Sequence, residues 1–325
     1  MSLFGKGRVD SSTTRLYFAT DIHGSDVCFR KFLNAGQFYQ AQYLILGGDI
    51  TGKSLIPIEH RGGTWNAKYL DHEYAAMGEI ERRQLEQYIR QNGQYPVIGD
   101  RDELLALRDE KQLEALFRKV VVDGILAWVD LAEHRLHGTG IRCFITPGND
   151  DFWEVDEALK GSQVVEFVEG KCIRLDEHHE MITTGYSNVT PWRSPRELGE
   201  TELGARIAEM YRMVEDPGNL IAVLHVPPKD TKLDQAPSID ENLNLQLDSG
   251  GTVMTGVGST AVRLFIEQCQ PLLGLHGHVH DSKGEVKIGR TLCLNPGSEY
   301  TDGTLRGAIV TLDANGVRSH QLVVG

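Results

Sequence analysis

Apolar residues gather in short runs along the chain, and amphipathic segments lie between these runs. The run RLYFAT at Arg15–Thr20 predicts a buried strand, and Ser25–Gly36 has the spacing of a helix that ends at a glycine. This alternation of strand and helix is typical of a layered α/β fold. Further strands are predicted at Tyr43–Leu46, Ile141–Thr146, Leu220–Leu224 and Leu272–Leu275, with a helix at Thr260–Cys269.

Two regions favour antiparallel pairing, so the sheets are expected to be mixed. Val164–Leu175 is predicted to form a hairpin that turns at Glu169-Gly170. The C-terminal part, Val286–Val324, is rich in strand-forming residues and contains the turn signals Asp302-Gly303 and Asn315-Gly316.

A charged segment between the second and third predicted strands has helical spacing from about Asp71 to Arg135. We expect a single domain over residues 1–325 with an inserted helical cap at about 60–138. Another long helix is predicted after Pro195, with Ser194 as its N-cap. Pro227–Ser259 is a long polar segment of the kind that often forms a functional lid.

Composition narrows the classes of protein. Charged residues make up 24% and hydrophobic residues 40%, which is ordinary for a globular domain. The net charge of −13 and the lack of a basic stripe argue against binding long nucleic acid. No apolar run approaches the roughly 20 residues of a membrane span, and no signal core follows the N-terminus, so we expect a cytoplasmic protein. Five cysteines without a CxxC pair disfavour disulfides and cysteine-bound zinc.

Five short polar segments each follow a predicted strand. Because ligands bind at the carboxyl ends of strands in open α/β sheets, these segments are expected to meet at one edge. Their glycines allow the backbone to approach a ligand closely. The segments are Asp21-Ile22-His23-Gly24, Gly47-Gly48-Asp49, Gly148-Asn149-Asp150-Asp151, His225, and Gly277-His278-Val279-His280.

The side chains in these segments are those that divalent metals bind. Carboxylate, amide oxygen and imidazole suit manganese, iron, nickel or zinc. Asp21 and His23 are two residues apart, so on an extended segment both point the same way and can share one metal. His278 and His280 have the same spacing and can serve one metal or two adjacent ones. Each segment alone has an ordinary explanation as a turn or a core residue, but the complete set does not.

The set D-x-H, G-G-D, G-N-x-D, H and G-H-x-H resembles the calcineurin-like metallophosphoesterase superfamily. The resemblance covers about residues 15 to 300, apart from the inserted helices. It implies an α/β fold in which two mixed β-sheets, flanked by helices, form a four-layer sandwich. Asn295-Pro296-Gly297-Ser298 is also similar to the NPGS turn of some smaller bacterial and archaeal members.

Carried over residue by residue, the resemblance implies two divalent metal ions of uncertain identity: manganese, iron, zinc or nickel. Asp49 would bridge them and, with Asn149 and Asp150, would form the catalytic group. The first metal would be bound by Asp21, His23 and His280, and the second by Asn149, His225 and His278.

The resemblance implies hydrolysis of a phosphate ester by a hydroxide that bridges the metals. One departure is Asp150, at a position where many members carry a histidine that helps protonate the leaving group. An aspartate beside metal ions is expected to be ionised, so we predict that Asp150 does not supply this proton and that the rate depends strongly on the leaving group.

Counting charges favours a small phosphodiester substrate. Two ions, two carboxylates and a hydroxide leave about one positive charge, which one diester neutralises. Arg193, Arg196 or Lys229 can add positive charge, and Thr184–Trp192 can shape the pocket or be an ordinary turn. The alternatives are a phosphomonoesterase, a protein phosphatase, or a non-catalytic scaffold of the same fold. No membrane partner is expected, and the oligomeric state is left open.

Overall fold

Strands and helices alternate along most of the chain in the computed structural model, which describes residues 13–240 and 242–325. Within these residues the helices are α1 (Asp26–Phe38), α2 (Glu79–Gln91), α3 (Arg101–Ala106), α4 (Glu110–Leu136), α5 (Glu154–Lys160), α6 (Glu200–Tyr211) and α7 (Thr260–Cys269), with short 3-10 helices at Pro217–Asn219 and Tyr300–Asp302. The strands are β1 (Thr14–Ala19), β2 (Tyr43–Gly47), β3 (Leu55–Arg61), β4 (Thr64–Tyr69), β5 (His72–Met77), β6 (Tyr95–Gly99), β7 (Arg142–Thr146), β8 (Val165–Phe167), β9 (Lys171–Arg174), β10 (Glu180–Thr184), β11 (Ser187–Asn188), β12 (Glu197–Leu198), β13 (Leu220–Leu224), β14 (Gln235–Pro237), β15 (Leu247–Asp248), β16 (Gly251–Thr252), β17 (Met254–Gly256), β18 (Leu273–Leu275), β19 (Gly284–Ile288), β20 (Thr291–Asn295), β21 (Arg306–Asp313) and β22 (Gly316–Val324).

Two six-stranded mixed sheets form the body of the protein. The first has the order β22-β21-β1-β2-β7-β8, and the second has the order β19-β20-β18-β13-β10-β9. In each sheet the central strands are parallel; antiparallel strands lie at both edges of the second sheet and at one edge of the first, whose other edge strand, β8, is parallel. The predicted α/β class with mixed sheets is therefore confirmed. The five predicted strands correspond to β1, β2, β7, β13 and β18, and the predicted helix at Thr260–Cys269 is α7.

Alternate residues of the central strands pack into different cores. Leu16 and Phe18 of β1 lie in the apolar core between the two sheets. Tyr17 and Ala19 point the opposite way, into the core beneath α1, α4 and α5. The outer face of the second sheet is covered in the same way by α6 and α7. Because both faces of the central strands are covered, strands such as β2 and β13 are almost entirely apolar. The layers follow the predicted four-layer order.

The predicted hairpin at Val164–Leu175 is wrong. β8 pairs in parallel with β7 at the edge of the first sheet, whereas β9 pairs with β10 in the second sheet. The turn at Glu169-Gly170 therefore carries the chain from one sheet to the other. Glu169 joins the two sheets, because its carboxylate accepts hydrogen bonds from the hydroxyls of Thr146 and Thr184. Apolar alternation around a glycine turn predicts two strands but not their partners.

The predicted insertion is not a purely helical cap. Residues 55–77 form an antiparallel meander of β3, β4 and β5, and β6 pairs in parallel with β3. Its hairpin turns have two consecutive residues in the left-handed region, Gly62-Gly63 (φ 60° and 82°) and Leu70-Asp71 (φ 47° and 62°), as two-residue hairpins require. The Gly-Gly turn was a signal in the sequence, whereas a leucine with positive φ is uncommon. Helix α2 packs on this small sheet through a separate core.

Helix α4 belongs to the main body although it lies within the predicted insertion. Val121, Ile125 and Trp128 on its inner face are buried against α1 in the core of the first sheet. The helix therefore packs beside α1 and α5 on the outer face of the first sheet, where it also contacts β8. Only the segment before it, with β3–β6, α2 and α3, builds an additional layer.

Three smaller predictions need correction. Helix α1 has Ser25 as its N-cap but continues past Gly36 to Phe38. The helix predicted after Pro195 begins at Glu200 with Gly199 as its N-cap, because Ser194 bonds elsewhere. The predicted lid at Pro227–Ser259 contains the short strands β14–β17. Among the described residues, no helix is both long and apolar enough to cross a bilayer.

Candidate metal centre

The five polar segments meet at the carboxyl ends of β1, β2, β7, β13 and β18. The first two run side by side, since Asp21 and His23 donate backbone hydrogen bonds to the carbonyls of Gly48 (2.9 Å) and Asp49 (3.0 Å). His225, after β13 of the second sheet, reaches this edge because its Nδ1 donates to Gly47 O of the first sheet at 2.9 Å. The structure thus brings together all the side chains that the sequence singled out as metal ligands: Asp21, His23, Asp49, Asn149, His225, His278 and His280.

Asp21, His23 and His280 form the first cluster. The ring nitrogens Nε2 of His23 and His280 are 3.0 Å apart, and Nε2 of His280 is 3.4 Å from Asp21 Oδ1. Two nitrogens that bind one ion at about 2.1 Å and at right angles are about 3.0 Å apart. The spacing of this cluster fits a single divalent ion.

Asp49, His225 and His278 form the second cluster, and Asn149 lies beside it. His225 Nε2 is 3.4 Å from Asp49 Oδ1, and His278 Nδ1 is 2.8 Å from the amide oxygen of Asn149. The other carboxylate oxygen of Asp49 is 3.8 Å from His23 Nε2 in the first cluster. Asp49 therefore lies between the two clusters, where a bridging ligand would be.

The ring of His225 provides an independent test of whether a cation fits. Its Nδ1 donates to the Gly47 carbonyl at 2.9 Å, which leaves Nε2 without a proton in the neutral ring. Nε2 is buried and has no hydrogen-bond partner among the described residues. An orphaned buried acceptor is costly, and it faces the aspartates of the centre. A divalent ion would satisfy it, so the residues fit the metal that they were predicted to bind.

Four of the candidate ligands have left-handed backbone conformations: Asp21 (φ 52°), His23 (φ 41°), Asp49 (φ 49°) and His278 (φ 66°). Such conformations cost free energy in residues other than glycine and often cluster at functional sites. Neighbouring glycines make the close packing possible. A Cβ on Gly148 would lie 2.1 Å from Asp49 Oδ1, and one on Gly48 would lie 2.3 Å from His225 Nδ1.

The electrostatics of the centre suit a cation. Burial lowers the pKa of His23 to about 4 and also lowers that of His278, so these rings stay neutral and can bind a metal. Burial opposes charge on His225 as well, but Asp49 and Asp21 outweigh it and raise its pKa to about 10. Positive charge is therefore favoured between the two aspartates, and a bound metal ion would supply it in place of a proton.

A second layer of hydrogen bonds holds the ligands. The NPGS turn contributes Asn295, whose amide donates to Val279 O at 3.0 Å, and Ser298, whose hydroxyl donates to Asp21 O at 2.6 Å. Asp151 joins the loops after β2 and β7, because its carboxylate accepts from Ile50 N (3.0 Å) and Gly148 N (2.6 Å). These bonds place Asp151 behind the centre, where it orients the loops.

A cavity of about 590 Å³ opens over the two clusters and is lined by Asp49, Asn149 and His280 among others. Of the three cationic residues predicted to enter the site, only Arg193 lines this cavity. Arg196 is 1% exposed and pairs with Asp156 at 2.5 Å, so its role is structural.

The loop Thr184–Trp192 contributes Thr190 and Trp192 to the cavity wall. Ser187 and Asn188 do not line the cavity and instead bond within the loops. Sequence reasoning missed Lys53, which lines the cavity and pairs with Asp150 at 2.5 Å. Its position four residues after Asp49 was the available signal.

The additional layer that precedes α4 is attached to the back of the centre. Gly93, in the loop between α2 and β6, is so close that a Cβ there would lie 2.1 Å from His23 O. Nearby, Ser25 Oγ donates to Gln91 O at 2.6 Å, and Gly52 N donates to the hydroxyl of Tyr95 at 2.9 Å. The layer therefore contacts the loops that carry the ligands. Of the residues in the predicted insertion (60–138), Phe117 of α4 is the one that lines the cavity.

The fold and the arrangement of polar side chains define a class: an α/β sandwich of two mixed sheets, with candidate Asp/His clusters for divalent metal at one edge. The four-layer α/β sandwich that the resemblance to the calcineurin-like superfamily implies is the fold observed. No family model matches the chain.

Three proteins illustrate what this chain is similar to, each at low sequence identity. An uncharacterized protein, MJ1162, from Methanocaldococcus jannaschii is 28% identical over 174 residues, which cover 52% of this chain and 71% of that protein. The crystal structure of TT1561 from Thermus thermophilus has a TM-score of 0.53 at 13% identity, covering 96% of this chain and 98% of that one. YfcE, described as a phosphoesterase from E. coli, covers 95% of this chain and 98% of its own at 11% identity, but its TM-score of 0.32 supports no functional conclusion. These comparisons support the fold alone.

Proposed function

We propose that this protein is a metal-dependent phosphoesterase that hydrolyses a small phosphate ester. One arrangement carries the proposal: Asp49 lies between two clusters of candidate ligands, and the buried Nε2 of His225 beside it has no hydrogen-bond partner among the described residues. Asp21, His23 and His280 would hold one divalent ion, and Asn149, His225 and His278 would hold a second. When bound, such ions activate water and polarise a phosphoryl oxygen.

The protein's own residues have separate roles in this proposal. Asp49 would hold both ions, and the backbone N–H of Asp150, which donates to Asp49 Oδ1 at 3.0 Å, fixes the orientation of that carboxylate. Thr20 donates to Asp21 Oδ2 at 2.7 Å and so orients a ligand of the first cluster. No nucleophilic side chain is required, because the attacking oxygen comes from water.

A phosphodiester remains the favoured substrate, but the charge argument is weaker than the sequence indicated. Asp150 adds little negative charge, since Lys53 pairs with it. Arg193 brings further positive charge to the cavity wall. The preference therefore rests on the charge balance of the ions and their two aspartates, and the net charge of −13 continues to disfavour long nucleic acid.

A panel of chromogenic phosphomonoesters and phosphodiesters, assayed with manganese, nickel, iron and zinc, tests the proposal. Wild type is expected to hydrolyse at least one ester class only when metal is added. Asp49→Asn is expected to lower kcat by about 10³-fold or more while circular dichroism stays unchanged, because an amide neither bridges two ions well nor neutralises their charge. Wild type that binds metal but hydrolyses no ester would favour the scaffold alternative. Near wild-type turnover by Asp49→Asn at saturating metal would show that Asp49 has been assigned wrongly.

A further inference from the structure

Lys53 is a cation beside the candidate metal centre that no motif assigns. Its ammonium is 2.5 Å from Asp150 Oδ2, and both residues line the cavity. A carboxylate oxygen of Asp150 lies within 4.8 Å of the candidate ligand atoms of His23 and Asp49. A phosphate held over those atoms would therefore be within reach of the Lys53 ammonium.

Asp150 itself is an acceptor in every side-chain contact that it makes among the described residues. Its Oδ1 accepts from the amide of Asn149 at 3.0 Å and from the hydroxyl of Ser194 at 2.6 Å, while Oδ2 faces Lys53. All three of these contacts use the Asp150 carboxylate as a hydrogen-bond acceptor. It is well placed to hold the lysine.

The neutral hydroxyl donors of the cavity wall are already used. Thr51 donates to Asp151 at 2.5 Å, Thr190 donates to Glu197 at 2.5 Å, and Ser194 donates to Asp150. Lys53 and Arg193 are the cationic side chains among the described lining residues. Lys53 has three N–H groups and contacts one acceptor among the described residues, so it retains N–H groups for a ligand.

The backbone next to Lys53 is fixed by the additional layer. Gly52 N donates to the hydroxyl of Tyr95 on β6, and a Cβ on Gly52 would lie 2.1 Å from Gly93 O. The side chain of Lys53 is half exposed, with 52% of its surface accessible, so it points from this fixed backbone toward the open cavity.

We propose that Lys53 stabilises the leaving group of the ester, with Asp150 as the residue that positions it; this inference rests on the proposed phosphoesterase function. The oxygen of a water molecule forms a new bond to phosphorus and gives up a proton to solvent, while the bond between phosphorus and the leaving oxygen breaks and its electron pair stays on that oxygen. The ammonium of Lys53 donates a hydrogen bond to it, and the oxygen then takes its proton from solvent. A charged donor aimed at developing negative charge is the type of interaction that lowers such a barrier.

The test is a leaving-group series of phosphodiesters, from nitrophenyl to alkyl, with wild type, Lys53→Gln and Lys53→Arg. For Lys53→Gln we expect kcat/KM to fall by about 10²–10³-fold on alkyl esters and by less than about 10-fold on nitrophenyl esters, because only poor leaving groups need the donor. Lys53→Arg should recover part of the loss. Lys119→Gln, which removes an exposed lysine also paired with an aspartate (2.7 Å to Asp123), is the matched control and should behave as wild type.

Elemental analysis of each variant separates this role from a structural one, and metal content is expected to equal that of wild type. Equal losses on both ester types, or a selective loss in Arg193→Gln instead of Lys53→Gln, would overturn the assignment to Lys53. If wild type hydrolyses no ester with any metal, the proposed function fails first, and the two failures are thus distinguishable.

Discussion

At the scale of single residues, Asp150 shows how neighbours define the role of a side chain. The resembled superfamily often has a histidine at this position, which can donate a proton. Here the carboxylate accepts from Asn149, Ser194 and Lys53, so its position beside the centre is used to hold other groups. The sequence prediction that Asp150 is not the acid stays a prediction, and the structure supplies its physical reason.

A double variant tests Asp150 directly. In a Lys53→Gln background, Asp150→Asn is expected to leave the dependence of rate on leaving-group pKa unchanged, because a positioning residue has no effect once its partner is gone. The measurement is the slope of log kcat/KM across the ester series for both variants. A steeper slope in the double variant would show that Asp150 donates a proton itself.

His276 is a second single residue whose neighbours determine its charge; it is a buried core residue and not a candidate ligand. Its Nδ1 donates to Leu224 O at 2.8 Å, and its Nε2 is buried without a partner among the described residues. Burial lowers its pKa from the ordinary 6.5 to about 4. The neutral ring is therefore the form that the fold accommodates.

This lowered pKa predicts how stability changes with pH. The stabilising contribution of neutral His276 is complete above about pH 6.5 and is lost as pH falls toward about 4, by roughly 3 kcal/mol in total. Urea unfolding of metal-free wild type and His276→Asn between pH 7.5 and 4.5 measures it, and the variant should show the smaller decrease. Parallel profiles would contradict the prediction.

At the scale of elements, the layer formed by β3–β6, α2 and α3 supports the centre from behind. Gly93 contacts the backbone of His23, and Tyr95 holds Gly52. The predicted role of the insertion in selecting substrate stays a prediction. Its one side chain in the cavity wall is Phe117, on a helix that also belongs to the main core.

Gly93→Ala is expected to weaken metal binding, because the added Cβ would lie 2.1 Å from His23 O and would displace that loop. The control is Gly63→Ala in the same layer, which also has positive φ (82°) but has nothing within 4 Å of a Cβ. We expect at least a 10-fold higher apparent Kd for Mn²⁺ in Gly93→Ala and little change in Gly63→Ala, measured by isothermal titration calorimetry. Similar affinities in both variants would mean that the layer does not support the ligands.

At the scale of the whole molecule, the candidate centre lies where the two sheets meet, and it is formed by loops from both. Asp21, Asp49 and Asn149 come from the first sheet, whereas His225 and His278 come from the second. Ions held between them would link the sheets. A ligand that binds only the folded state stabilises it in proportion to the logarithm of its concentration.

Removal of metal is therefore expected to lower the thermal midpoint by several degrees, and reloading should restore it with about two equivalents bound. Differential scanning fluorimetry with chelated and reloaded protein, combined with elemental analysis, measures both quantities. Asp21→Asn should reduce the shift. A protein that stays metal-free under every loading condition, with an unchanged midpoint, would contradict the two-metal prediction.

Local patterns in the sequence were sufficient for the central strands, for α7 and for the polar segments that follow those strands, whereas the assignment of metal ligands came from the family resemblance and stays a prediction. A strand buried on both faces is an apolar run, and turns after strands favour glycine, aspartate or asparagine, so β1 and Asp21 can be recognised without knowledge of their neighbours. Tertiary structure alone decided the partners. Contacts between segments distant in sequence decide that β8 and β9 do not pair with each other and that Lys53 reaches Asp150. Packing that local periodicity does not contain decides that residues 72–77 form a strand.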